Sequence, residues 1–245
     1  MIEAIIFDLD GTLVQTERLK AISYAQAAVE LCPDEISEEA VIEAFKDVVG
    51  LPRREVAQAL VERFGLESAA SLRMEEFGVA TPWQAYVQVR LQIYDKMLSD
   101  PAVIRDHQWA HNIELLNMAH RLGCKTGLAT MSGRDHVQRV LQALDVADHF
   151  QFTACRDDVE HGKPDPEIYL LVAHELKVNP PDCLVIEDSP VGVDAALTAG
   201  MHVIAVTTPF TVERLYAANL LDVHWIVDHP DQLPMVVQQC FEQLK

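Results

Sequence analysis

No stretch of these 245 residues is apolar for the roughly 18 consecutive positions that a membrane span requires. Basic residues are scarce. Nineteen lysines and arginines stand against 38 acids, a formal net charge of −19. That balance argues against nucleic acid or anionic membrane as a partner, because both need basic patches to meet phosphate. An anionic substrate would need a local basic pocket in an otherwise acidic surface. The five cysteines (Cys32, Cys124, Cys155, Cys183 and Cys240) are odd in number, scattered, and without C-x-x-C spacing. They read as reduced core residues, which speaks against a disulfide framework and for a cytoplasmic location. Met1-Ile2-Glu3 runs straight into an apolar stretch, without the charged and apolar regions of a secretory signal. Repeats and low-complexity tracts are lacking too. What remains is a composition 49% apolar, that of a globular chain with one or two domains and a proper core.

The first motif sits almost at the start, in Ile5-Ile6-Phe7-Asp8-Leu9-Asp10-Gly11-Thr12. Ala4 to Phe7 reads as a buried strand ended by a glycine turn. In extended backbone Asp8 and Asp10 project to one side and can serve one site. Gly11 allows a sharp exit. Strand ends of open α/β sheets are ligand sites, and two carboxylates there need a cation or a shared proton to offset their repulsion.

A long helical stretch follows. Leu19, Ile22, Ala25 and Val29 recur at helical spacing, as do Val41, Phe45 and Val48, then Val56, Leu60 and Phe64 before Gly65. Thr81-Pro82 predicts a helix start with Trp83, Val87, Leu91, Tyr94 and Leu98 on one face. Beyond Ser99-Asp100-Pro101 the pattern changes to alternation. A helix carrying Trp109, Ile113, Leu116 and Ala119 ends at Gly123. Strands are predicted at 125–130, 150–154, 183–186, 202–206 and 225–227, with helices at 133–144, 166–176, 190–199 and from about 231. Alternating strands and helices imply a doubly wound, Rossmann-like parallel sheet covered on both faces. The expected fold class is α/β, with residues 1–15 and 99–245 as the core and 16–98 as an inserted α-helical bundle.

Three further strand ends carry chemistry. Thr130-Met131-Ser132-Gly133-Arg134 places hydroxyls and free N–H groups at a helix start, a setting that suits phosphate; taken alone it reads first as an ordinary Ser N-cap. His161-Gly162-Lys163-Pro164-Asp165-Pro166 holds a lysine in a stiff loop, able to neutralise a carboxylate and a phosphoryl group. Val185-Ile186-Glu187-Asp188-Ser189-Pro190 ends a strand in two acids, hard oxygen ligands of the kind Mg²⁺ takes. His107 and His111 have the i, i+4 spacing of a zinc helix, yet Gln108 replaces the catalytic glutamate, and zinc is not expected.

Asp8-Leu9-Asp10-Gly11-Thr12, Thr130, Lys163-Pro164 and Glu187-Asp188 resemble, in order and spacing, the four motifs of the haloacid dehalogenase superfamily. The helical insertion after the first motif resembles the α-helical cap of its β-phosphoglucomutase-like subclass. The resemblance implies an Asp8 nucleophile that forms an aspartyl-phosphate, and Asp10 as general acid and base. It implies Mg²⁺ on Asp8, the Asp10 carbonyl and Asp188, with Glu187 as ligand or close support, and Thr130 and Lys163 on the transferring phosphoryl oxygens. A cap that closes over the site and excludes water is also implied. Gly50-Leu51-Pro52-Arg53 resembles the subclass's specificity loop, so Gly50 and Arg53 are candidate substrate contacts, with Ser132 and Arg134 beside Thr130.

Asp10 favours phosphate esters over the dehalogenase and phosphonate branches, which by resemblance lack it. Lys20 stands where the β-phosphoglucomutases carry a histidine, which favours transfer to water. The expected function is Mg²⁺-dependent hydrolysis of a small phosphorylated metabolite, such as a sugar phosphate, by a monomer or weak homo-oligomer. The alternatives are a β-phosphoglucomutase-like phosphoryl transferase and, from another class, a binding protein that has kept only the fold.

Overall fold

The computed structural model describes residues 1–33 and 35–244, and the chain forms two compact units. One comprises Met1–Gln15 with Ile104–Lys245, the other Thr16–Val103. β1 (Ala4–Phe7) opens the first unit and is buried along its whole length, as a strand covered on both faces must be.

The second unit is helical: α1 (Thr16–Leu31), α2 (Glu38–Lys46), α3 (Arg53–Arg63), α4 (Glu67–Leu72), α5 (Met74–Phe77) and α6 (Pro82–Leu98). Ser37 caps α2 by accepting the Ala40 N–H at 3.2 Å. α6 packs on α1, α3 and α4, but not on the face expected of it. Trp83, Leu91 and Tyr94 are only half-buried, whereas Ala85, Tyr86, Val89 and Arg90 point inward with Val87 and Leu98. The Tyr86 hydroxyl donates to the Tyr24 carbonyl at 2.7 Å, and Arg90 Nε to Ser23 Oγ at 2.9 Å. The Arg90 guanidinium also lies over the rings of Tyr24 and Tyr94, 5.0 and 4.3 Å from their centroids. The Tyr86 hydroxyl and Arg90 Nε have thus found partners inside the bundle, which counting apolar residues cannot foresee.

α7 (Pro101–Asp106) runs across the division between Val103 and Ile104, and the first unit continues through α8 (Ala110–Arg121), β2 (Lys125–Ala129), α9 (Arg134–Leu144), β3 (Phe152–Ala154), α10 (Glu167–Leu176), β4 (Cys183–Glu187), α11 (Pro190–Thr198), β5 (His202–Val206), α12 (Val212–Ala218), β6 (Ile226–Val227) and α13 (Leu233–Gln243). All strands are parallel, in the order β3-β2-β1-β4-β5-β6. Ile6 is level with Gly127 on one side and Val185 on the other. α10 and α11 touch each other and pack on one group of strands, and α8 touches α13. Ala4, Ile6, Val185 and Val203 join Tyr169, Val172 and Ala196 in one buried cluster, the period-2 face of the strands that meets α10 and α11. A Cβ on Gly127 would lie 2.4 Å from Val172 Cγ1, so glycine lets α10 approach β2 closely.

Several boundaries differ from the periodicity. The expected third strand starts late: a 3₁₀ turn at Ala147–His149 precedes it, residues 150 and 151 stay outside the ladder, and the strand is Phe152–Ala154. Ile226–Val227 is likewise shortened by a turn at Val223–Trp225. α12 buries only Leu215 in its seven residues, too little apolar signal to be foreseen. Among the described residues no helix is long and apolar enough to cross a membrane.

Candidate active site

β1 lies between β2 and β4, so the residues that follow these three strands emerge side by side. Strand order reverses between β1 and β4, the crevice where open parallel sheets take ligands. Asp8 leaves β1 with its N–H still bonded to the Ile186 carbonyl at 3.0 Å. Asp8 is 6% exposed, and Asp188, after β4, is 2% exposed. Lys163 comes from the loop before α10. Its Nζ donates to Asp8 Oδ1 at 2.7 Å, to Glu187 Oε1 at 2.6 Å and to the Ala129 carbonyl at 3.0 Å. Lys163 therefore ties the ends of β1, β2 and β4 together.

Glu187 is saturated. Oε1 also accepts the Tyr169 hydroxyl at 2.9 Å, and Oε2 accepts the N–H groups of Asp188 and Ser189, both at 2.9 Å, and Ser189 Oγ at 3.0 Å. Space for this carboxylate comes from Gly192 on α11, where a Cβ would lie 1.7 Å from Oε1. The Tyr169 ring also sits 4.8 Å below the Lys163 ammonium.

Burial dominates the electrostatics and is then corrected by partners. It works against ionisation of Glu187, but Lys163 and the surrounding donors outweigh it and hold the carboxyl below its ordinary range. Burial would likewise strip the proton from Lys163, but Asp8 and Glu187 raise its pKa instead. For Asp8 burial prevails over the attraction of Lys163, with Glu187 and Asp10 adding to the upward shift. With Glu187 holding the lysine's charge, Asp8 is the carboxyl most in need of a further cation.

Asp8, Glu187 and Asp188 each offer a carboxylate oxygen within 4.8 Å of the others. This all-oxygen donor set fits a hard divalent cation such as Mg²⁺. Gly11, at φ +87°, keeps the place open, since a Cβ there would lie 2.0 Å from Asp188 Oδ2. Both Glu187 oxygens already hold hydrogen bonds, so Asp8 and Asp188 are the better disposed ligands.

Asp10 forms a second centre. Ser132 Oγ donates to its Oδ2 at 2.5 Å and Thr130 Oγ at 3.3 Å, while His136 Nε2 stands 3.4 Å from Oδ1. The loop carrying Asp10 is pinned from within: Gly11 donates to the Val14 carbonyl at 2.8 Å, and buried Asn112 of α8 donates to the Thr12 carbonyl at 2.6 Å.

The structure thus groups Asp8, Lys163, Glu187 and Asp188, and sets Thr130 and Ser132 on Asp10. Arg134 is drawn elsewhere. Its guanidinium pairs with Asp158, and its N–H donates to Asp157 at 2.9 Å. Gly50 and Arg53 belong to the helical unit, where with Lys20, Tyr24 and Arg90 they line a cavity of ≈ 260 Å³. Tyr169, Gly192, Asn112 and His136 were not singled out in the sequence. Only Tyr169 left a signal there, a tyrosine in an apolar helix whose hydroxyl must find a partner.

A family model described as haloacid dehalogenase-like hydrolase matches residues 2–200. The chain is 30% identical over 200 residues, 82% of its length and 82% of the relative's, to a phosphorylated carbohydrates phosphatase of Thermotoga maritima. A solved HAD family hydrolase of Deinococcus radiodurans with bound phosphate and sodium matches with TM-score 0.75 at 20% identity, covering 97% of this chain and 96% of that one. A β-phosphoglucomutase of Clostridium difficile matches with TM-score 0.64 at 24% identity, covering 99% and 98%. At those identities the two structures speak for the fold.

Proposed function

The chain belongs to the haloacid dehalogenase-like hydrolases, phosphoric monoester hydrolases by activity, and on that premise we propose that it is a Mg²⁺-dependent phosphatase of a small phosphorylated carbohydrate, acting through an aspartyl-phosphate on Asp8. The observation that carries the reading is the ion-paired line Asp8–Lys163–Glu187 beside Asp188, with Asp10 held apart by two hydroxyls. The carbohydrate choice rests on the name of the Thermotoga relative.

In the first step a carboxylate oxygen of Asp8 attacks phosphorus, and the bond from phosphorus to the ester oxygen breaks. Asp10 gives its proton to the departing alcohol, which sugar leaving groups need. In the second, Asp10, now a carboxylate, takes a proton from water while the water oxygen attacks phosphorus. The acyl phosphate opens, inorganic phosphate leaves, and both aspartates return to their starting forms. Lys163 and Thr130 hold the phosphoryl oxygens, and Glu187 keeps Lys163 in place. Asp8, Asp188 and the Asp10 main-chain carbonyl would hold Mg²⁺, which when bound neutralises charge between the attacking carboxylate and the phosphate. In the helical unit, Arg53 and Arg90 line a cavity with Lys20, which pairs there with Glu17, and the two guanidiniums offer the cationic chemistry an anionic ligand needs.

The test is ³¹P NMR of the full chain with Mg²⁺ and a panel of sugar phosphates, nucleotides and one phosphonate, beside Asp8→Ala. The reading requires inorganic phosphate from a sugar phosphate, dependent on metal and absent in the variant. Phosphate that moves to another hydroxyl of the sugar overturns hydrolysis in favour of a mutase.

A further inference from the structure

His136 lies in the first turn of α9, four residues past Ser132. Its side chain is 20% exposed, and Nε2 itself is buried without a hydrogen bond, 3.4 Å from Asp10 Oδ1. An imidazole nitrogen in that position costs free energy unless a partner takes it up. The nearby partner is a carboxyl whose other oxygen, Oδ2, already accepts from Ser132 and Thr130.

Three side chains of one loop–helix segment therefore surround a single carboxyl, two on one oxygen and one on the other. The last torsion of an aspartate is broad and nearly two-fold, so contacts to one oxygen alone leave the group free to turn. An imidazole that carries its proton on Nε2 donates to Oδ1 whether the carboxyl is ionised or holds its proton on Oδ2. It can accompany Asp10 in both of its forms.

We propose that His136 is a positioning residue for the acid–base carboxyl. It braces Oδ1 of Asp10 so that Oδ2, between Ser132 and Thr130, is the oxygen that hands its proton to the departing alcohol. This rests on the phosphatase reading of Asp10. The proton balance of the reaction is unchanged, because His136 supplies orientation and neither gains nor loses a proton in the step.

The experiment compares His136→Ala, His136→Gln and the wild type, all with Mg²⁺, in single-turnover release of the leaving group. One substrate is the best alkyl phosphate from the NMR panel; the other is p-nitrophenyl phosphate, whose phenolate departs without protonation. Positioning of the acid predicts a loss of about 10- to 100-fold on the alkyl ester for His136→Ala, a part of what general acid catalysis supplies. The aryl ester should fall by less than about threefold, and glutamine should restore most of the alkyl rate, both following from the same argument. Equal losses on both esters, or none on either, overturn the proposal. If the wild type hydrolyses nothing, it is the phosphatase reading that has failed. Hydrolysis with an unselective His136→Ala rejects His136 alone. Melting curves of both variants exclude misfolding as the source of a loss.

Discussion

Replacing Gly192 by alanine puts helix propensity and site geometry in opposition. Gly192 is the third residue of α11, and in a helix interior alanine is favoured over glycine by about 1 kcal/mol. Local propensity therefore predicts a stabilised protein. The structure predicts the reverse. The new Cβ would lie 1.7 Å from Glu187 Oε1 and 2.0 Å from its Cδ, far inside contact distance. Glu187 is 1% exposed and has no solvent to retreat to. Displacing it removes one of the two carboxylates that hold the buried Lys163 ammonium and unseats a buried carboxylate from its donors, and loss of one partner from such a pair costs about 3–5 kcal/mol. The net expectation is a destabilisation of about 2–4 kcal/mol. For a chain of this size that lowers the melting temperature by roughly 5–15 °C. Scanning calorimetry of Gly192→Ala reads this directly. Glu187→Asp, which withdraws the carboxylate by one methylene, should combine with it non-additively. A Gly192→Ala protein as stable as the wild type would refute the tight seating of Glu187 on α11.

Gly11→Ala should act on the metal site: its Cβ would fall 2.0 Å from Asp188 Oδ2, and Mg²⁺ affinity measured by calorimetry should drop about tenfold or more. Unchanged affinity would mean Asp188 is not a ligand. Mg²⁺ binding should also release a proton, because burial raises the pKa of Asp8 in the metal-free protein and the metal takes the carboxylate. The apparent Kd should therefore rise as pH falls, by up to about tenfold per pH unit below that raised pKa, and a flat profile would count against Asp8 as ligand. Burial lifts the thiols of Cys183 to about 12 and Cys240 to about 11, and raises those of Cys124 and Cys155. Since the thiolate is the reactive form, a disulfide reagent near neutral pH should titrate only half-buried Cys32 in the native protein and all five cysteines after denaturation.

The sheet was the most legible part of the chain. Ala4–Phe7, Cys183–Glu187 and His202–Val206 are short apolar runs bounded by turn residues, and nothing else suits such runs as well as buried parallel strands. Polar residues after several of them were equally visible. Which strand lies beside which was not, since it depends on how the connections cross. The order that brings Asp8 between Ala129 and Glu187 exists only in the folded sheet. Choices among long-range partners were hidden for the same reason. Arg134 follows Thr130 closely in sequence but pairs with Asp158, and His136, two residues further on, faces Asp10. In the helical unit, Arg90 looks like an exposed helix cation until its guanidinium is seen over the rings of Tyr24 and Tyr94.

The central claim is that Asp8 carries the phosphoryl group between the two steps. Rapid acid quench during turnover of an aryl phosphate with Mg²⁺, followed by mass analysis of the peptide containing Asp8, tests it most directly. The account predicts one added phosphoryl group on Asp8, a larger trapped fraction in Asp10→Asn, where water is no longer activated, and none in Asp8→Asn. Turnover with no phosphoryl group trapped on Asp8 in either the wild type or Asp10→Asn, or continued turnover in Asp8→Asn, would contradict it.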